Sequence, residues 1–126
     1  MALTMLKKTP IHCVAMITGT GAQTIALATD LLCTNETAGT CQVNIAGIYW
    51  AIPGATAATV VRNSVTHWNL VGSYKFEFRG WNDSLDNTFD IVVTLPANAT
   101  VVVELVKVGG YGNEQQRKSV GGDLYL

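Results

Sequence analysis

Apolar and polar side chains alternate along several stretches of the chain, most clearly over residues 74–79. Tyr74, Phe76 and Phe78 take every second position there. Charged residues fill the positions between and after them, namely Lys75, Glu77 and Arg79. Successive side chains of a β-strand point to opposite faces, so this spacing predicts a strand with one buried and one solvated face. We expect the three aromatic rings to face the core and the charged residues to face solvent.

The pattern predicts a β-hairpin near the end of the domain. Residues 90–95 and 100–108 are rich in β-branched side chains, and Pro96, which has no amide donor, suits the connection between them. The apolar residues that share one face of the first arm are Ile91, Val93 and Leu95. The second arm is apolar on both faces around residues 101–103, which indicates a central strand or one covered by a neighbouring chain.

A second hairpin is predicted upstream, where residues 11–18 and 24–28 flank Gly19-Thr20-Gly21. Further short strands are predicted over residues 40–45, 48–52, 59–63 and 66–71. Pro53-Gly54 is a strong turn signal, and no long helix is indicated. The sequence therefore predicts a mostly β domain, an antiparallel β-sandwich (jelly-roll or Ig-like) of about eight or nine short strands.

The chain has 126 residues, the size of one domain. We predict an N-terminal arm over residues 1–9, a sandwich domain over 10–108 and a C-terminal tail over 109–126. The tail begins with a glycine-rich stretch, continues with the polar run 113–119 and ends on apolar residues. We expect it to leave the domain and contact another subunit. The candidate partner-binding residues are Tyr111, Arg117, Lys118, Leu124, Tyr125 and Leu126.

Composition narrows the possible functions. Charged residues make up 13% of the chain and the formal net charge is -1. A disordered chain or a protein dominated by phosphate contacts would carry more charge, so we expect neither disorder nor nucleic-acid binding. No apolar stretch is long enough for a membrane helix, and Lys7-Lys8 follow the first apolar residues, so no secretory signal is expected. Low charge with two-sided apolar strands predicts a surface covered by other subunits.

The cysteines give little support for redox or metal chemistry. There are three, Cys13, Cys33 and Cys41, so at least one is unpaired within the chain. A hairpin could join Cys33 to Cys41, but we expect reduced thiols in a protein made in the cytosol. No C-x-x-C motif occurs, so neither a zinc site nor any cofactor is predicted.

Other reactive side chains are interpreted as structural. His12 and Cys13 are adjacent, so on a strand they point to opposite faces, and His67 could reach Cys13 only through the fold. A modest acidic grouping could suit glycoside hydrolysis or calcium binding but is interpreted as solvated turn residues. Its members are Glu77, Asp83, Asp86 and Asp90. We therefore predict no catalytic or metal-binding residues.

The aromatic residues could form a carbohydrate platform, although we favour core packing. The residues concerned are Tyr49, Trp50, Trp68, Tyr74 and Trp81. Trp81 is the best candidate for exposure because it lies in a predicted turn beside Asn82 and Asp83.

Four segments resemble small virion structural proteins of tailed phages that infect marine bacteria, especially cyanobacteria. They are residues 62–70 (RNSVTHWNL), 74–78 (YKFEF), 90–95 (DIVVTL) and 103–112 (VELVKVGGYG). The resemblance implies a β-rich, non-enzymatic virion component that is assembled in the host cytoplasm. It also implies as partners other virion proteins, such as the major capsid protein or tail and connector proteins, and copies of the chain itself.

Three classes of function follow from these observations. The leading hypothesis is a capsid decoration or cement protein, with a head–tail connector, tail or baseplate component as the alternative in the same class. The second class is a glycan-binding, fibre-type module. The third class, an enzyme, would need titratable groups that converge in the fold.

Overall fold

The computed structural model describes residues 2–33, 36, 41–78 and 82–109, and all elements among them are β-strands. The strands are β1 (Ala2–Lys8), β2 (His12–Ile25), β3 (Gln42–Ala51), β4 (Ala58–Arg62), β5 (Val65–Leu70), β6 (Ser73–Glu77) and β7 (Ile91–Gly109). Every strand pairing is antiparallel. The predicted mostly β, antiparallel sandwich is therefore confirmed, with seven strands in the described part of the chain where the prediction was eight or nine.

The strands pair in the order β1-β2-β7-β3-β6, and β4 joins β7 to β5. Residues 2–8, within the segment predicted as an N-terminal arm, form β1 and pair with β2. The two long strands β2 and β7 lie at the centre of this arrangement and pair along almost their whole length. In the described residues there is no helix with the length and apolarity that a membrane span requires.

Both predicted hairpins are wrong, because the chain bends at these places instead of reversing. Gly19 and Gly21 lie within β2, where Gly19 pairs with Ala99 and Gly21 with Leu95 of β7. Gly19, Gly21 and Asn98 have φ angles of 108°, 111° and 63°. Irregularities in paired strands turn the direction of a sheet without ending it. The glycines and Asn98, which the sequence analysis assigned to turns, therefore lie at a bend that β2 and β7 share.

The bend divides the sheet into two packed halves. Residues 12–18 of β2 lie between β1 and the second part of β7, whereas residues 21–25 pair with residues 91–95, which also border β4. Strands that pass from one layer to the other through such a bend form the corner of a sandwich. The faces that meet inside carry one buried cluster, which includes the predicted core residues Ile91, Val93 and Leu95 at 0%, 0% and 3% exposure.

Strand β3 is also continuous, although two short strands were predicted over residues 40–45 and 48–52. A bulge between Ile45 and Gly47 shifts the pairing of β3 with β7 by one residue. The alternation of apolar side chains is therefore interrupted there, although the strand does not turn. The predicted strands at 59–63 and 66–71 correspond to β4 and β5.

Two buried cations hold loops against the sheet. Arg62 is 1% exposed and donates hydrogen bonds to the carbonyl oxygens of Val43, Asn87 and Phe89 at 2.8–3.2 Å. It thereby fixes the segment that precedes β7 beside β3. Lys107 donates to the Glu36 carboxylate at 2.5 Å.

Candidate assembly interface

Strand β6 forms an open edge of the sheet. It pairs with β3 from Gly47 opposite Glu77 to Ala51 opposite Ser73, and with no other strand of the described chain. All five of its residues are exposed. The edge strand of a sheet can pair with a strand of another chain. We refer to Ser73–Glu77 as the β6 edge.

The predicted burial of the three aromatic rings over residues 74–78 is correct for Phe78 only. Phe78 is 8% exposed, whereas Tyr74 and Phe76 are 72% and 40% exposed, so the prediction is wrong for these two. The alternation itself is preserved, because the rings of Phe76 and Phe78 lie on the same face, with their centroids 4.9 Å apart. Both rings pack on Trp68 of β5, at centroid distances of 5.3 and 5.6 Å. Among the described strands, β6 has one neighbour, β3, and the rings of Tyr74 and Phe76 are accessible.

The exposed rings belong to an apolar surface beside the edge, which we call the aromatic patch (Trp50, Val71, Tyr74 and Phe76). Trp50 packs edge-on against Tyr74 at 6.1 Å, and its Nε1 donates to the Val71 carbonyl oxygen at 2.8 Å. Val71 is 62% exposed. A shallow depression of about 240 Å³ adjoins the patch and is lined in part by Tyr49 and Val102. Contiguous exposed aromatic residues are typical of protein interfaces.

The opposite face of the β6 edge is charged. Lys75 Nζ lies 3.4 Å from Glu77 Oε1, and the side chains are 62% and 37% exposed. The Tyr49 hydroxyl of β3 donates to Glu77 Oε2 at 2.9 Å. Tyr49 also lies 3.4 Å from Glu104, whose other carboxylate oxygen is 2.6 Å from His12 Nε2. Polar contacts therefore cross four strands and end at the β6 edge.

Burial, together with the hydrogen bonds and charges of the Glu77 and Glu104 carboxylates, raises the pKa of Tyr49 from 10.0 to about 12. A phenol that donates to a carboxylate is stabilised in its protonated form. Tyr49 therefore stays a hydrogen-bond donor at neutral pH and holds Glu77 in place on β6.

The six tail residues predicted to bind a partner lie outside the described residues, as do Trp81 and residues 110–126 in general. The predicted domain division and the predicted tail contact therefore stay predictions. Trp50 and Trp68 pack against the core, as expected for core filling, although Trp50 also contributes to the aromatic patch.

The acidic residues that were considered as a catalytic or calcium group are engaged separately. Asp83 accepts from Trp68 Nε1 and from the Leu85 amide, both at 3.0 Å. Asp90 accepts from the Leu27 amide at 3.0 Å. These carboxylates order loops, and no cluster of three or more metal-ligating side chains forms among the described residues.

A histidine–aspartate pair that the sequence did not reveal lies at a surface depression. His67 Nε2 is 3.0 Å from Asp86 Oδ2, and the His67 side chain is 6% exposed. The depression has a volume of about 550 Å³ and is walled by Trp68, Leu85 and Val65. The two residues are 19 positions apart, so no local motif could have indicated the contact.

None of the three cysteines forms a disulfide bond. Cys13 is fully buried, and its Sγ lies 3.7 Å from the Thr9 carbonyl oxygen. Cys33 Sγ lies 3.7 Å from Lys107 Nζ. Burial raises the pKa of both thiols, which opposes formation of a nucleophilic thiolate. His12 and His67 each contact a carboxylate, so the geometry does not assemble a cysteine–histidine nucleophile from them.

Comparison with known proteins gives one distant structural likeness. No family model matches the chain. No curated protein matches it either. The chain is similar to a solved structure described as the Schizosaccharomyces pombe Cnp3 cupin domain, with 11% identity and a TM-score of 0.40 over 94% of this chain and 67% of that one.

Proposed function

We propose that this chain is a non-enzymatic structural protein of a tailed-phage virion, and specifically a capsid decoration or cement protein. In this role it is assembled in the host cytoplasm and stabilises the head by protein–protein contacts. The observation that carries the proposal is the β6 edge together with the aromatic patch, because a strand that borders only β3 among the described strands lies beside exposed aromatic rings on one surface.

The patch supplies the type of contact on which a cement protein depends. Burying apolar surface contributes about 25 cal/mol per Å², and aromatic side chains dominate the energetics of most interfaces. Tyr74 at 72% and Val71 at 62% exposure leave most of their surface available for a partner. Trp50 is held by its bond to the Val71 carbonyl oxygen, so little side-chain freedom would be lost on binding.

The resemblance to phage virion proteins supports the proposal that this surface is the interface. Its second segment, residues 74–78, contains most of β6 and two members of the aromatic patch. Its first segment extends along β5, whose Trp68 supports the rings of Phe76 and Phe78. The segments behind the resemblance therefore include the candidate interface.

The test is incorporation into phage particles. Heads prepared without the chain are incubated with the recombinant protein, and its copy number and the temperature of head disruption are measured. We expect copies in numbers comparable to the capsid subunits, and a higher disruption temperature. A single ring of copies at one vertex would indicate a head–tail connector, and absence from particles would refute a virion role.

Matched variants locate the contact. Tyr74→Ser with Val71→Ser removes two exposed members of the aromatic patch and should reduce occupancy at subsaturating protein. Leu85→Ser changes a side chain that is 67% exposed at the His67 depression and should leave occupancy unchanged. Equal effects of the two variants would contradict an interface at the patch.

The glycan-binding alternative has one observation in its favour. The depression beside His67 combines an aromatic wall, Trp68, with the polar groups of Asp83 and Asp86. Glycan-array binding by the isolated chain that is lost on Asp86→Asn and kept in the patch variant would favour this alternative over the cement role.

A further inference from the structure

A thiol and an amine from distant parts of the chain lie next to each other in the interior. Lys107 Nζ, on β7, donates to Cys33 Sγ at 3.7 Å, and the two residues are 74 positions apart. The Lys107 side chain is completely buried, whereas Cys33 is partly accessible. Cys33 is therefore the member of the pair that a small reagent from solvent reaches first.

A carboxylate completes this cluster. Glu36 Oε1 lies 2.5 Å from Lys107 Nζ and also accepts from the Cys33 amide at 2.9 Å. The Glu36 side chain is completely buried, and its Oε2 has no hydrogen-bond partner among the described residues. Buried polar atoms normally have a partner, so the carboxylate has an open position for a proton. Glu36 is thus placed to take a proton from the Lys107 ammonium and to leave a neutral amine beside the sulfur.

We infer that Cys33 and Lys107 form a reversible covalent crosslink, a sulfenamide, when the chain is oxidised by hydrogen peroxide. Peroxide converts a thiol to a sulfenic acid, which then condenses with a second thiol or with a nitrogen atom. In this cluster the Lys107 side chain supplies the nitrogen, because its Nζ already contacts the sulfur. The inference assigns a redox-sensitive modification site, and it is independent of the proposed virion role.

Two steps form the sulfur–nitrogen bond. In the first, peroxide transfers one oxygen atom to Cys33 Sγ, so that –SH becomes –SOH and one water molecule is released. In the second, the Lys107 ammonium gives one proton to Glu36, and the nitrogen lone pair attacks the sulfur. The S–O bond breaks, and the hydroxyl leaves as water with a second proton from the nitrogen. The sulfur is thus oxidised by two electrons, and one peroxide is reduced to two water molecules.

The surroundings favour the second step more than the first. Burial raises the pKa of the Cys33 thiol and the charge of Lys107 opposes this rise, so thiolate is scarce and the first oxidation is slow. Once the sulfenic acid has formed, the amine is already beside it, and the attack becomes effectively unimolecular. Proton transfer to Glu36 removes both buried charges together, so no unpaired charge remains in the interior.

The experiment treats the isolated full chain with a molar excess of hydrogen peroxide. Peptide mass spectrometry without reductant should show the peptides of Cys33 and Lys107 joined, at a mass two hydrogen atoms below their sum. The urea midpoint of the oxidised chain should rise, because a covalent link across 74 positions restricts the unfolded chain. Dithiothreitol should cleave the S–N bond, restore both side chains and return the midpoint to its original value.

Matched variants test the chemistry. Cys33→Ser removes the sulfur, and the double variant E36Q/K107M removes the amine without leaving an unpaired buried charge, so neither should form the crosslink. Cys33 of E36Q/K107M should instead be oxidised further, to the sulfinic acid. Cys13→Ala should retain the crosslink. A disulfide from Cys33 to Cys13 or Cys41, or oxidised Cys33 beside an unmodified Lys107, would overturn the inference, as would a Cys33 that stays reduced.

Discussion

The Lys107 ammonium lies 2.5 Å from the Glu36 carboxylate, and both side chains are completely buried. Removing one member of such a pair strands the other charge, which typically costs about 3–5 kcal/mol. We predict that Lys107→Met lowers the free energy of unfolding by this amount, measured by urea denaturation.

The double variant Glu36→Gln/Lys107→Met provides the control. It removes both charges and retains an oxygen that can accept from the Cys33 amide, which now donates to Glu36 Oε1 at 2.9 Å. We expect it to be more stable than Lys107→Met alone. Equal stability of the two variants would contradict a buried, mutually compensated pair.

Phe76 and Phe78 should differ in their contribution to stability. Phe78 is 8% exposed and Phe76 is 40% exposed, although both pack on Trp68. Truncation of a buried phenylalanine to alanine costs about 3–5 kcal/mol. We predict this loss for Phe78→Ala and a smaller loss for Phe76→Ala, compared by urea denaturation at a protein concentration that keeps each variant monomeric. A larger loss at position 76 would contradict the exposure of the β6 edge.

These two rings also show what an alternating pattern can reveal. The spacing of residues 74–78 correctly predicted a strand with rings on one face, because side-chain direction is fixed by the local backbone. Exposure depends on whether a second strand or layer covers that face. No local pattern gives the position of β6 at the end of the sheet, so the interface that we propose was not predictable from this segment.

The bend in β2 and β7 shows a second limit. Gly19, Gly21 and Asn98 permit positive φ angles, which are needed for a hairpin turn and for a bend in a continuous strand alike. The outcome depends on pairing between residues about 80 positions apart, such as Gly19 with Ala99. The fold class could therefore be predicted from composition and alternation, but not the number of strands.

The cysteines should react in order of their accessibility. Cys13 is fully buried and Cys41 is 9% exposed, whereas Cys33 is partly accessible. We predict that iodoacetamide at neutral pH modifies Cys33 first, and slowly, because burial raises its pKa. Cys13 and Cys41 should react after unfolding in urea. Peptide mass spectrometry without reductant reads out the order, and a Cys33–Cys41 crosslink would contradict it.

Tyr49 should make stability depend on alkaline pH. Its pKa is raised to about 12 in the folded chain from an ordinary value of 10.0, so the unfolded chain loses this proton first. The stabilisation is thus present below about pH 10 and is lost as the pH rises towards 12. We predict that Tyr49→Phe is less stable than the unaltered chain at about pH 9 but loses less stability on going to about pH 11.5.

Urea denaturation of both proteins at the two pH values checks this prediction. The remaining tyrosines contribute equally to both proteins, so the difference between them isolates Tyr49. An identical alkaline loss in the two proteins would show that the phenol is not held by Glu77 and Glu104.

The pairing of β2 with β7 determines when the sheet can be completed during protein synthesis. The residues that flank β2 in the sheet come from β1, just before it, and from β7, which follows after residue 90. A ribosome adds about 5–20 residues per second, so β2 would wait several seconds for its second neighbour. During this interval its apolar side chains and one free edge are accessible to other nascent chains. This topology therefore predicts slow folding, because β2 must pair with a strand that is distant in the sequence. It also predicts that high-level expression requires chaperones.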